Sequence, residues 1–239
     1  MRQLPLAVGL EAEADFDAYL PGPNREAVAA VAAWATGGND TFLYLFGPSG
    51  TGKTHLLLAA CGRASKESAT AIYLPLADPR LRPSVLDGLE GSELVALDDL
   101  QAVAGQRDWE LALFGVYNRL REHRRRLLMS ADVPVQALAL VLPDLRSRIG
   151  WGPRYRLQAL SERDCEQLLR HSAERRGLRL SDNAASYIMR RCRREPRQLM
   201  RLLDRLDQAS LSRKRRPTLA LVRELLKAPT TPSFRRPGE

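Results

Sequence analysis

Residues 47–54 read Gly-Pro-Ser-Gly-Thr-Gly-Lys-Thr and follow a short β-branched and aromatic run, Thr41–Phe46 (TFLYLF). No other stretch narrows the choice of fold as much. A strand that ends in Gly-x-x-x-x-Gly-Lys-Thr and opens a helix is the context a phosphate-binding loop requires. Gly47, Gly50 and Gly52 let backbone N–H groups curl around one centre without Cβ clashes, and the new helix points its positive end at the same place. Pro48, Ser49 and Thr51 complete the loop. Lys53 is placed to reach the β- and γ-phosphates of a nucleotide, and the Thr54 hydroxyl to help hold Mg²⁺. ATP or ADP is the expected ligand.

Further short apolar runs alternate with helical patterns. Ala71–Pro75 (AIYLP), Leu94–Leu97 (LVAL) and Leu127–Ser130 (LLMS) suit central strands of a parallel sheet, buried on both faces, while Tyr155–Leu160 (YRLQAL) alternates as an edge strand does. Helices are expected from Lys53 and over about 108–124, the second with Leu113, Tyr117 and Leu120 on one face. Strand–helix alternation implies right-handed crossovers and an α/β fold. After Leu160 the pattern is helical only. Ser161 and Ser181 read as N-caps, Leu199, Leu202, Leu203 and Leu206 line a third helix over 195–212, and a last helix covers about 218–227. The expected organisation is a flexible segment 1–10, an α/β domain 11–158, a helical domain 159–228 and a disordered tail 229–239.

Acidic and basic residues fall at sheet ends. Leu94–Leu97 runs into Asp98 and Asp99. Asp98 is the expected Mg²⁺ partner through water, and Asp99 the residue that orients an attacking water. The run Ser130-Ala131-Asp132 closes another strand, where Asp132 either contacts the γ-phosphate or attacking water or simply begins a turn. In Leu145–Gly152 (LRSRIGWG), Arg146 and Arg148 lie two apart and cannot share a helix face, so one is expected against carboxylates and the other outward. An outward arginine there either is merely solvated or reaches a neighbouring subunit's γ-phosphate. Arg197, after Pro196, starts a late helix from which a guanidinium could project toward a nucleotide.

Bulk properties fit a folded protein that meets an anion. Of 239 residues, 44% are hydrophobic, enough for a core. The net charge of +9 divides into −4 over residues 1–141 and +13 over 142–239. Such asymmetry marks either a site for nucleic acid, phosphate or an acidic protein, or arginine-rich solvated helices. Cys61, Cys165 and Cys192 and the three histidines are scattered, which argues against a disulfide framework or a metal site. The N-terminus meets Glu11, Glu13 and Asp15 too early for a secretory signal, and no apolar run is long enough to span a bilayer, so a cytoplasmic protein is expected.

Taken together, these segments resemble the AAA+ ATPases, and within them the DnaA replication initiators and their shorter Hda-type relatives. The resemblance runs from Phe16 to Lys227. Asp15-Phe16 and Pro21–Asn24 are similar to the segment near the adenine, and Gly47–Leu57 (GPSGTGKTHLL) to the Walker A region, which adds His55 to the nucleotide contacts. Leu97–Gln101 (LDDLQ) resembles Walker B with a second aspartate in place of the usual glutamate. Asp132 aligns with sensor 1, Leu145–Gly152 with box VII, and Glu195–Leu199 (EPRQL) with sensor 2. The resemblance makes Arg148 the arginine finger and Arg197 the sensor arginine. It implies a five-stranded parallel sheet with flanking helices followed by an all-helical lid. Gln3, Leu4 and Leu6 resemble the sliding-clamp-binding peptide of the short relatives, although Ala7-Val8 replace its bulkier end. Val133 stands where DnaA-type chains usually have arginine.

The implied function is a regulator that binds ADP or ATP, attaches to the DNA polymerase III sliding clamp, and promotes hydrolysis of DnaA-bound ATP, suppressing initiation. Its contact with DNA would be indirect, through the clamp, with self-association left open and no membrane involved. Two other readings stand beside it. One is a self-sufficient ATPase acting on DNA, such as a helicase loader, in which Lys53 and Asp99 are catalytic in their own right. The other is a scaffold that holds nucleotide only structurally.

Overall fold

The computed structural model describes residues 14–38, 41–192, 195–213 and 218–227. Its chain divides into two compact units, residues 1–159 and 160–239.

The first unit is a five-stranded parallel sheet between helices. The strands are β1 (Phe42–Phe46), β2 (Ala71–Pro75), β3 (Leu94–Asp98), β4 (Arg126–Ala131) and β5 (Arg154–Arg156), in the order β2-β3-β4-β1-β5. The period-two alternation of strand side chains sorts them onto two faces. Leu43, Leu45, Tyr73, Leu94, Ala96 and Leu128 pack on one side against α1 (Arg25–Ala35) and α2 (Lys53–Lys66). Tyr44, Leu74, Val95, Leu97, Leu127 and Met129 pack on the other against α3 (Arg107–Glu122) and α4 (Pro143–Ile149). Every residue of β3 is buried, as two covered faces require.

The strand expected over 155–160 is shorter. β5 ends at Arg156 because its only strand neighbour, β1, leaves the sheet at Gly47. The Leu157 N–H still donates to the Phe46 carbonyl at 2.7 Å. Beyond it, Gln158 bonds a side chain instead: its N–H donates to Asn24 Oδ1 (2.8 Å) and its carbonyl accepts from Asn24 Nδ2 (3.0 Å).

The second unit is helical: α5 (Glu162–Arg175), α6 (Asp182–Arg191), α7 (Pro196–Arg213) and α8 (Leu219–Lys227). Ser161 caps α5 with a full capping box, its hydroxyl accepting from the Asp164 N–H while Asp164 accepts from the Ser161 N–H. Ser181 caps α6. Leu169, Ile188, Leu199, Leu203, Leu206 and Val222 form its core. No helix among the described residues is long and apolar enough to cross a membrane.

Candidate functional site

The loop from β1 to α2 has the backbone its glycines predict. Gly47, Gly50 and Gly52 all have positive φ, at 154°, 83° and 89°. A Cβ on Gly47 would lie 2.3 Å from the Leu157 carbonyl oxygen, and one on Gly52 would lie 2.5 Å from Tyr19 Cε2. Helix α2 starts at Lys53 with no side-chain cap, so its first N–H groups face the loop. Thr51 closes the turn through a 2.9 Å bond from its hydroxyl to the Pro48 carbonyl. Lys53 is buried, and its ammonium donates to the carbonyls of Gly47 (2.7 Å) and Pro48 (3.2 Å). Burial pulls its pKa below the ordinary lysine value, while the charges of Asp99, Asp98 and Asp132 pull the other way.

A segment from the N-terminal side lies over this loop. The Tyr19 hydroxyl donates to the Thr51 carbonyl at 2.9 Å and accepts from Asn24 Nδ2 at 3.3 Å. His55 sits 2.8 Å from the Asp15 carbonyl through Nε2, with its ring 5.6 Å from that of Tyr19. Burial raises the Tyr19 pKa to about 12.

The strand ends supply the acidic half. Asp98 is 1% exposed and accepts from three hydroxyls: Thr54 (2.7 Å), Tyr73 (2.9 Å) and Ser130. Asp99 is in the left-handed region at φ 59°, and its N–H donates to Ser130 Oγ at 3.2 Å. Gln101 then joins two strand ends. Its Nε2 donates to Asp99 Oδ1 (2.9 Å), and its Oε1 accepts from the N–H of exposed Asp132 (3.2 Å).

These residues fit a nucleotide's phosphates and a magnesium ion. The loop N–H groups and Lys53 are donors for phosphate oxygens. Thr54 and Asp98 present a hydroxyl and a carboxylate side by side, a hard oxygen set of the kind Mg²⁺ takes alongside phosphates and water. Among the described residues, no group of three or more His, Cys, Asp or Glu gathers to hold a metal alone. A bound Mg²⁺ would neutralise phosphate charge here.

The second candidate cluster is the corner at the end of α4. Arg146 is exposed, and its Nη2 donates to the Leu140 carbonyl at 2.6 Å. Arg148 is half-buried, its guanidinium 4.6 Å from the centre of the Trp151 ring and 5.9 Å from that of Phe114. The expectation that one of the pair lies against carboxylates is therefore corrected. Among the described residues no carboxylate forms a salt bridge with either. The carboxylate that matters is one the sequence did not flag. Glu110 on α3 is fully buried and accepts from the N–H groups of Gly105, Val141 and Leu142, which fixes the lead-in to α4. Arg197 is exposed near the start of α7. Gln3, Leu4 and Leu6 lie outside the described residues.

The helical unit matches the family model for the Hda lid domain over residues 162–226. Residues 162–226 are therefore an Hda-type lid domain. Its fold is similar to domain III of the Thermotoga maritima replication initiation protein DnaA, with a TM-score of 0.77 at 20% identity, over 90% of this chain and 96% of that one. The AMPPCP-bound DnaA of Aquifex aeolicus is similar at TM-score 0.71 and 21% identity, over 86% of this chain and 70% of its own. The RuvB Holliday junction branch migration motor of T. maritima follows at 0.61 and 19%, over 85% and 67%. At these identities the likeness concerns fold: a parallel sheet with flanking helices and a helical lid, as the AAA+ resemblance implied.

Proposed function

We infer that this AAA+ chain is a regulator of DnaA. It binds ADP or ATP with Mg²⁺ at Gly47–Thr54 and Asp98, holds the sliding clamp through Gln3, Leu4 and Leu6, and presents Arg148 to ATP-bound DnaA. The guanidinium stabilises charge on the transferring γ-phosphate, DnaA is left with ADP, and initiation in the cytoplasm is suppressed. Arg197 serves the chain's own nucleotide, and DNA is met through the clamp. The observation that carries this reading is Arg148: a half-buried guanidinium at the end of a short helix, held by aromatic rings and, among the described residues, by no salt bridge. An arginine committed to an internal carboxylate would not be available to another active site. The Hda-type lid supports the same choice.

The test adds the protein and a DNA-loaded clamp to ATP-bound DnaA and follows conversion to ADP. Arg148→Ala should keep clamp binding and lose roughly a thousandfold or more of the stimulation, the size of an arginine-finger effect. Full stimulation by the variant rejects the assignment.

One observation favours a second reading. Gln101 ties the Asp99 carboxylate to the backbone of Asp132 beside a complete phosphate loop, which supports ATP hydrolysis by the chain itself. Turnover stimulated by DNA, with binding that weakens steeply in salt, would mark a self-sufficient ATPase acting on DNA.

A further inference from the structure

Trp151 stands apart from the other two tryptophans. Trp34 and Trp109 are buried, at 1% and 8% exposure, whereas Trp151 is 59% exposed. An indole this exposed contributes little to the core of the first unit. It carries two guanidinium groups instead: Arg148 at 4.6 Å from the ring centre and Arg121, from the last turn of α3, at 5.1 Å. Phe114, also on α3, meets Arg148 at 5.9 Å.

The geometry points to Trp151 as a positioning residue for Arg148, with Phe114 as the second wall of an aromatic bracket. A guanidinium is a flat cation whose N–H donors lie around its edge. A cation held against a ring face rather than a carboxylate keeps those donors available for phosphate oxygens. The rings therefore hold the arginine without compensating its charge. A carboxylate in the same place would consume the donors and cancel the charge. Long arginine side chains lose rotamer freedom when they are used, and a pre-set rotamer removes part of that cost. Arg121 adds a second positive charge at the same ring, which raises the potential felt by an approaching phosphate and discourages any cationic partner. The surface thus suits an anion carried by a neighbouring protein's active site.

What Arg148 reaches rests on the functional reading above; the bracket itself does not, and the experiment separates the two. In the full chain alone, acrylamide quenching is measured for the wild type, Trp151→Phe, and Arg148→Ala. The component lost in Trp151→Phe belongs to Trp151. It should become about 2-fold more quenchable in Arg148→Ala, because one covering cation is gone. An unchanged quenching constant overturns the bracket. In the clamp-dependent assay with ATP-bound DnaA, Trp151→Ala should lower the maximal stimulated rate by about 2- to 5-fold, the size of one exposed cation–π contact. The concentration giving half-maximal effect should not move, and Trp151→Phe, which keeps a ring, should restore most of the rate. Full maximal rate in Trp151→Ala overturns the positioning role while leaving the regulator reading intact. A wild type that quenches as expected but never stimulates DnaA overturns the role in trans together with that reading.

Discussion

The sharpest structural prediction concerns Asn24→Ala. Asn24 is 3% exposed, and its carboxamide makes both hydrogen bonds that a neighbouring strand would make to Gln158, 134 residues along the chain. It does so where β1 has turned away into the phosphate loop, so it stands in for a missing piece of sheet. Alanine removes these two bonds, worth about 1 kcal/mol each, together with the longer 3.3 Å bond to the Tyr19 hydroxyl, and leaves a partly buried N–H and C=O to find water. Because the Gln158 side chain is exposed, water relieves part of that penalty, and a loss of about 2–3 kcal/mol is expected. For a unit of this size that corresponds to a melting temperature lower by roughly 4–12 °C. All three tryptophans lie in the first unit, so urea unfolding followed by fluorescence reads the right part of the molecule. The midpoint should fall with an unchanged slope. Asn24→Asp should do no better than alanine, since it keeps the acceptor for the Gln158 N–H but sets a carboxylate against the Gln158 carbonyl. A loss below about 0.5 kcal/mol for Asn24→Ala, within the range of ordinary surface changes, would refute the stand-in role.

Two further outcomes follow from the same unit. Gly52→Ala should weaken ADP binding at least about 10-fold in a calorimetric titration, because the new Cβ meets Tyr19 at 2.5 Å and φ is +89°; the double variant with Tyr19→Ala should stay weak, since it relieves only the clash, and full recovery would show that backbone conformation is not limiting. Burial raises the pKa of Tyr19 to about 12 from 10.0 and of Cys61 to about 12 from 9.0, and lifts Tyr44 and Tyr73 as well. Each folded value lies above the unfolded one, so this stability is whole below pH 9 and is lost as pH rises through 10 toward 12. Urea midpoints should fall over that window together with the rise of tyrosinate absorbance; full tyrosinate absorbance near pH 10 in a still-folded chain would contradict it.

The parts of this fold that were legible in the sequence are those written locally. The phosphate loop, the apolar runs of β1 to β4, the Ser161 and Ser181 caps and the leucine face of α7 depend on neighbours within a few residues. Helix α1 was missed although Ala27, Val31 and Trp34 bury one face at helical spacing. Its alanine-rich sequence gives a weak pattern, and the preceding Pro21-Gly22-Pro23 signals loop. Asn24, Gln101 and Glu110 were beyond reach as working residues for another reason. Each acts by bonding the backbone of a distant segment, which composition and period do not encode. The early end of β5 is the same effect: its own alternation continues, but its neighbour has left.

The site is organised by groups that satisfy one another. Lys53 bonds two loop carbonyls, Asp98 accepts three hydroxyls, and Gln101 ties Asp99 to the backbone of Asp132. A phosphate that enters this loop exchanges hydrogen bonds with the protein, and its net gain is smaller than a count of its contacts suggests. The exchange reaches further than the loop. A metal that recruits Thr54 takes a donor from Asp98, whose remaining donors, Tyr73 and Ser130, sit on β2 and β4. Ser130 in turn accepts from the Asp99 N–H, and Asp99 holds Gln101. Occupancy of the phosphate site is therefore linked, through a chain of five hydrogen bonds, to the backbone at Asp132. That is a physical route by which bound nucleotide can adjust the ends of β3 and β4 without moving the sheet, whose central strand β3 is buried throughout and resists displacement.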